Sequence, residues 1–239
     1  LPPLTATLPL PPTITATPTI ISSPTETPVP VFINATLWTS DPQVPILVYH
    51  RFYQDYQNYS TNTKIRLSDF KNSIQALYEA GYTLVSLESW LKGDMHMPAG
   101  RRPLIITIDD LFFADQISLN EDGTPTQNSG IGILWQFYQD HPDFGFNLSL
   151  FYNLGDKYYG NVKVGDWWQK GPGWEDSLAN VIAWCIEHGA LPYNHFFTHP
   201  KLSLLTNAKD FTYQAEENEK ALREFLARIG KENLANELD

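Results

Sequence analysis

The chain has 239 residues, 42% of them hydrophobic and 13% aromatic, which is ample for one large core and marginal for two. A formal net charge of −11 and a pI near 4.9 exclude the basic field that nucleic acid or an anionic membrane surface would require. A single cysteine, Cys185, excludes an internal disulfide or thiolate metal site, and there is no run of 18 apolar residues to span a bilayer.

The first thirty residues, LPPLTATLPLPPTITATPTIISSPTETPVP, hold half of the 18 prolines, many threonines and one charge, Glu26. Proline and β-branched residues favour extended backbone, and a Thr/Pro-rich composition suits a stalk holding an extracellular domain away from a surface. Residues 1–40 are therefore predicted to be a disordered extracellular linker, and residues 41–239 one domain. A disordered intracellular arm, the competing reading, usually carries more charge. No basic region followed by an apolar stretch opens the chain, so a leader peptide is expected to be absent or already removed.

After the linker, VPILVYHRF (44–52) is a continuous apolar run, predicted to be a strand buried on both faces. A helix is predicted over 68–80, with Ser68 as N-cap, an apolar face of Phe70, Ile74, Leu77 and Tyr78, and Gly81 as its stop. Strands follow at 82–87 and 101–110, then a polar, turn-rich loop at 111–129. A helix over 131–140 leads to a strand at 146–154 and a Gly/Trp/Lys-rich excursion. A helix over 175–188, with Cys185 on its apolar face, stops at Gly189, a short strand approaches His195, and an amphipathic helix spans about 212–229. Alternating β and α units argue for a parallel sheet or barrel with its function at the carboxyl ends of the strands.

Three groups of polar residues sit at those ends: His50 in LVYHRF, Asp109 and Asp110 in LIITIDDLFF, and His195 and His199 in NHFFTHP. Two adjacent carboxylates closing a buried strand repel each other, and a divalent cation near both would relieve that repulsion. They could equally cap a turn. His195 and His199, four apart, would point the same way on a helical turn and could share a cation, though an H-x-x-x-H spacing also arises by chance. Pro200 and the aromatics Tyr193, Phe196 and Phe197 would constrain that turn. Two histidines and one aspartate with open positions match a hydrolytic zinc site, leaving the second aspartate free to act as a base.

TIDD at 107–110 and NHFFTHPKL at 194–202 resemble, in order, the first and second motifs of the NodB-type polysaccharide deacetylases (carbohydrate esterase family 4). The stretch from residue 43 to 110 is similar to the extracellular branch acting on poly-N-acetylglucosamine. The resemblance covers about residues 43–205 and implies an α/β fold of the distorted (β/α)7-barrel type. It further implies Asp109 as general base, Asp110, His195 and His199 as ligands of a divalent metal, zinc above all, and an N-acetylated polysaccharide as partner. His50 fits the place of the general acid in that branch; a strand-end histidine bonded to a neighbouring loop fits it as well. A secreted or surface-associated monomer is expected.

Two departures stand against the resemblance. Leu111 replaces the glycine that follows the aspartates in the family, and the chain stops at Asp239, where a third motif should begin, so the barrel is expected to be incomplete at its C-terminus. They favour the alternative of a carbohydrate-binding pseudoenzyme of the same fold. A glycoside hydrolase is disfavoured, since adjacent carboxylates cannot flank one scissile bond. Trp167, Trp168 and Trp174 could stack on sugars or pack a loop base, and the acceptor-like triplets at Asn34, Asn58 and Asn147 carry no inference.

Overall fold

The computed structural model describes residues 44–57, 62–155, 172–236 and 238, together with the backbone of Phe32–Ala35. Its centre is a parallel sheet. Strand β7 (Arg102–Leu111) lies between β2 (Ile46–Tyr49) and β8 (Leu148–Tyr152), β9 (Ala190–Asn194) follows β8, and β5 (Tyr82–Leu84) pairs with the opening residues of β7. Two small ribbons flank this sheet: β1 (Phe32–Ala35) antiparallel to β6 (Met95–Pro98), and β3 (Arg51–Tyr53) parallel to β4 (Lys64–Arg66). Strand β1 falls inside the predicted linker, whose other residues lie outside those described.

Helices α1 (Leu67–Glu79), α3 (Gly130–Asp140), α4 (Trp174–Glu187) and α5 (Ala208–Arg228) join the sheet in one core, with a short α2 (Leu87–Lys92) after β5 and α6 (Asn233–Asn236) closing the described chain. Ile106, Ile108, Leu148 and Leu150 meet Phe70, Ile74, Leu134, Ile182 and Phe225 in that core. Ile105 points the other way, into a smaller cluster with Val85, Met95 and Met97. β7 is therefore buried on both faces, as expected for a parallel strand between two layers.

Strand β2 departs from the same expectation. Ile46 and Val48 are 43% and 54% exposed, alternating with half-buried Leu47 and Tyr49, because β2 ends the sheet and no further strand covers it among the described residues. The described sheet is thus an open arc of the α/β type from which such barrels are built, with β2 and β9 as its two edges.

Several boundaries differ from the sequence reading. Arg66, not Ser68, is the N-cap of α1, and the Ser68 hydroxyl donates to Asp55 at 2.7 Å. Helix α5 starts at Ala208, capped by Asn207 accepting from the Asp210 amide at 2.9 Å. Trp174 opens α4 and packs edge-on against Phe225, a structural role; Trp167 and Trp168 lie outside the described residues. Cys185 is buried in α4, and burial pushes its thiol well above the usual range, so it is an inert core residue.

Candidate metal centre

The two aspartates stand where β7 breaks register with β8. Asp109 pairs with Phe151, and Leu111, not Asp110, pairs with Tyr152, so Asp110 is the extra residue of a β-bulge. Its φ is 59°, in the left-handed region that aspartate tolerates better than most residues. The two carboxylates are therefore separated by a bulge as well as by the ordinary strand alternation. Leu111 is fully buried in the main core, so the residue that stands where the resembled motif has glycine points into the core.

His195 and His199 do not lie on a helical turn. They bracket an irregular loop after β9 in which Phe196 and His199 have φ of 63° and 48°. The left-handed residues bend the loop back, leaving the ring centroids 4.9 Å apart. Nε2 of His199 lies 3.3 Å and Nε2 of His195 3.6 Å from Asp110 Oδ1, and one ligand atom from each of the three residues lies within 4.8 Å of the other two. Ligands about 2.0–2.2 Å from a tetrahedral cation are about 3.4 Å apart, so the two aspartate–histidine separations match those around a zinc-sized ion. The three side chains are between 28% and 48% exposed, which leaves the centre open to a further ligand.

Asp109 shares the face of the sheet away from the main core with its register partners Phe151 and Tyr193, whose rings stack 5.5 Å apart; Phe151 also meets the His195 ring edge-on at 6.0 Å. Burial raises the Asp109 carboxyl above its ordinary value despite the opposing pull of His195 and His50. Burial likewise lowers His195, against the pull of Asp109. Both shifts lean toward the neutral form, whereas a nearby cation would favour the ionised carboxylate and a free imidazole. His50, at the end of β2, acts electrostatically on both residues, so the structure brings all five sequence-predicted residues to one end of the sheet.

Residues that the sequence did not single out hold this arrangement. Gln116, fully buried in the predicted loop, donates to the carbonyls of His50 (2.6 Å) and Asp109 (2.8 Å) and accepts from the Phe113 amide (2.7 Å), tying β2 to β7. Beside it, Asp115 receives a bidentate bond from Arg51 and the Phe52 amide, and the Arg51 guanidinium lies 3.6 Å over the Phe113 ring. Of the predicted aromatic wall, Tyr193 lines the sheet, Phe197 is buried, and Phe196 packs against Phe211 instead.

No family model matches the chain, and no curated protein matches it. Among solved structures, the Streptococcus pyogenes deacetylase PplD, determined in complex with acetate, aligns at a TM-score of 0.51 and 16% identity over 83% of this chain and 71% of that one. A polysaccharide deacetylase from Bacillus cereus aligns at 0.49 and 18% over 77% of this chain and 48% of that one, and IcaB from Ammonifex degensii at 0.46 and 14% over 77% and 70%. The chain is an α/β protein with its candidate centre at the carboxyl end of a parallel sheet. Its fold is that of PplD, which agrees with the resemblance drawn from the two sequence motifs.

Proposed function

We propose that this chain is a metal-dependent hydrolase that removes N-acetyl groups from an N-acetylhexosamine polymer, such as poly-N-acetylglucosamine, a chitin-like chain or peptidoglycan, and releases acetate. The convergence of Asp110, His195 and His199, with Asp109 one residue away, carries this reading. A fold shared with a protein described as a deacetylase supports it. Asp110, His195 and His199 would hold the cation, and their two-nitrogen, one-oxygen set favours zinc. When bound, such a cation polarises the acetyl carbonyl and makes water a stronger nucleophile.

The chain's own residues supply the proton traffic. Asp109, ionised beside the cation, takes the proton of the water that attacks the acetyl carbonyl. His50 gives a proton to the amide nitrogen as the carbon–nitrogen bond breaks, so that acetate and a free amine leave. Phe151 and Tyr193 give the base an apolar, partly dry floor. The Thr/Pro-rich opening supports a site of action outside the cell, and no helix among the described residues is long and apolar enough to cross a membrane.

The reading is tested by metal analysis of the purified chain together with acetate release from N-acetylglucosamine oligomers. Wild type is expected to bind one divalent ion and release acetate, Asp109→Asn to keep the ion and lose release, and His199→Ala to lose both. A wild type without metal, or acetate release unchanged in both variants, overturns it. Metal bound with no acetate released from any N-acetylated glycan would instead favour a carbohydrate-binding pseudoenzyme.

A further inference from the structure

The loop that carries His195 and His199 is tied to the sheet by the His195 amide, which donates to the Tyr152 carbonyl (2.9 Å), and beyond that point to the side of helix α5. Asn218, fully buried, donates to the Tyr152 carbonyl (2.8 Å) and to Asn194 Oδ1 (2.9 Å), and accepts from the Leu154 amide (2.9 Å). Asn194 passes this on: its Oδ1 accepts from the amide of left-handed Phe196 (3.0 Å), and its Nδ2 donates to the Ala215 carbonyl (2.8 Å). One turn earlier on α5, Gln214 Oε1 accepts from both the amide (2.8 Å) and the hydroxyl (3.1 Å) of Thr198, the residue before His199. The Gln214 carbonyl accepts from the Phe197 amide at 3.0 Å. Residues 194, 196, 197 and 198 are thus each bonded directly or through one side chain to a helix already fixed in the core by Leu222, Phe225 and Leu226.

We propose that Gln214 and Asn218 are positioning residues for the cation: they hold the two histidines convergent on Asp110 before an ion arrives, so that binding need not order the loop. The inference rests on the metal reading above and adds to it the residues that set the affinity. Partners outside the ligand sphere that orient ligands typically contribute 10- to 100-fold in metal affinity, and ordering a loop on binding would otherwise reduce it.

The experiment is calorimetric titration of Zn²⁺ into the metal-free 239-residue chain and its variants, with thermal unfolding of each metal-free protein as control. Gln214 is part-exposed, and the bonds its side chain makes here all use an oxygen acceptor, so Gln214→Glu keeps them while Gln214→Met keeps only the volume. Gln214→Met is expected to weaken Zn²⁺ by about 10- to 100-fold with little change in unfolding, and Gln214→Glu to bind near wild type. Asn218→Asp, which loses both donated bonds, should weaken it at least as much as Gln214→Met.

If Gln214→Met binds like wild type, or Gln214→Glu is weakened equally, the positioning role is overturned while the metal centre stands. Failure of the wild type to bind Zn²⁺ overturns both.

Discussion

The two halves of the candidate centre are built in different ways. The carboxylate half, Asp109 and Asp110, ends the most deeply buried strand and is fastened from beneath by Gln116, a side chain with no exposure and bonds to two strand ends. The imidazole half is a part-exposed loop with two left-handed residues, fastened sideways to a helix that reaches the sheet only after it. In the first half, the interactions that place the carboxylates are also those that hold the fold; in the second, they can be loosened while the core stays intact. Damage to the two halves should therefore be read in different experiments.

Removing a ligand breaks both halves at once and has the largest expected effect. Asp110→Ala should abolish metal binding and lower acetate release by at least about a thousandfold, since several kcal/mol of charge stabilisation is lost. Metal content and initial rates of acetate release check it. Treatment of wild type with a chelator should match the variant, and only wild type should recover on adding Zn²⁺.

Gln116→Leu separates the halves. It leaves the His50 and Asp109 carbonyls and the Phe113 amide without their buried partner, which should destabilise the chain by about 3 kcal/mol in denaturant unfolding. Gln214→Met, on the part-exposed side of the loop, should scarcely move the same curve. Equal losses for the two variants would mean that the halves are held alike.

Much of this was legible in the sequence because it follows from periodicity and composition. The apolar run before Asp109, the apolar faces of the helices, and the alternation of elements all reflect burial against a sheet. Asp110, His195 and His199 were singled out because residues of those types at the ends of predicted strands are unusual in combination, and the structure brings the three together. The supports were not. Gln116 sits in NEDGTP-like, turn-rich surroundings, and Asn218 in a charged stretch, AEENEKALREF, where nothing distinguishes a buried amide from an exposed one. Burial of Ile46 and Val48 was misjudged for a related reason: an apolar run reports the capacity to be covered on both faces, whereas β2 is an edge. The bulge at Asp110 and the left-handed His199 are backbone events that residue types permit without announcing.

Asp115→Ala tests how far the fastening of the carboxylate half extends. The Arg51–Asp115 pair is 29% and 22% exposed, so its charge interaction is partly screened, but the substitution also frees the Phe52 amide. A loss of about 1–2 kcal/mol, smaller than for Gln116→Leu, is expected in denaturant unfolding. A larger loss would move the anchor of this half from Gln116 to the Arg51 pair.

The smallest effect should carry the opposite sign. Burial raises the Asp109 carboxyl above its ordinary value of 3.8 in the metal-free chain. The folded state therefore holds this proton more tightly than the unfolded state does. The contribution to stability is present below the unfolded value and is lost as pH rises through the folded one, so at neutral pH ionised Asp109 is a net cost to the fold. Asp109→Asn removes that cost. In metal-free protein at pH 7 it should raise the thermal midpoint slightly, with the gain shrinking as the pH falls toward 4. His195, which burial shifts downward, loses stability in the other direction, as the pH falls through its unfolded value. It is present in both proteins, but Asp109 pulls it upward, so Asp109→Asn lets burial lower it further, which shrinks the gain in acid in the same sense and leaves the comparison cleanest above the ordinary histidine value. With saturating Zn²⁺ the gain should vanish or reverse, because a cation beside Asp110 favours the ionised neighbour. A gain that persists with metal would mean that the carboxylate half is strained by Asp109 itself rather than arranged around a cation.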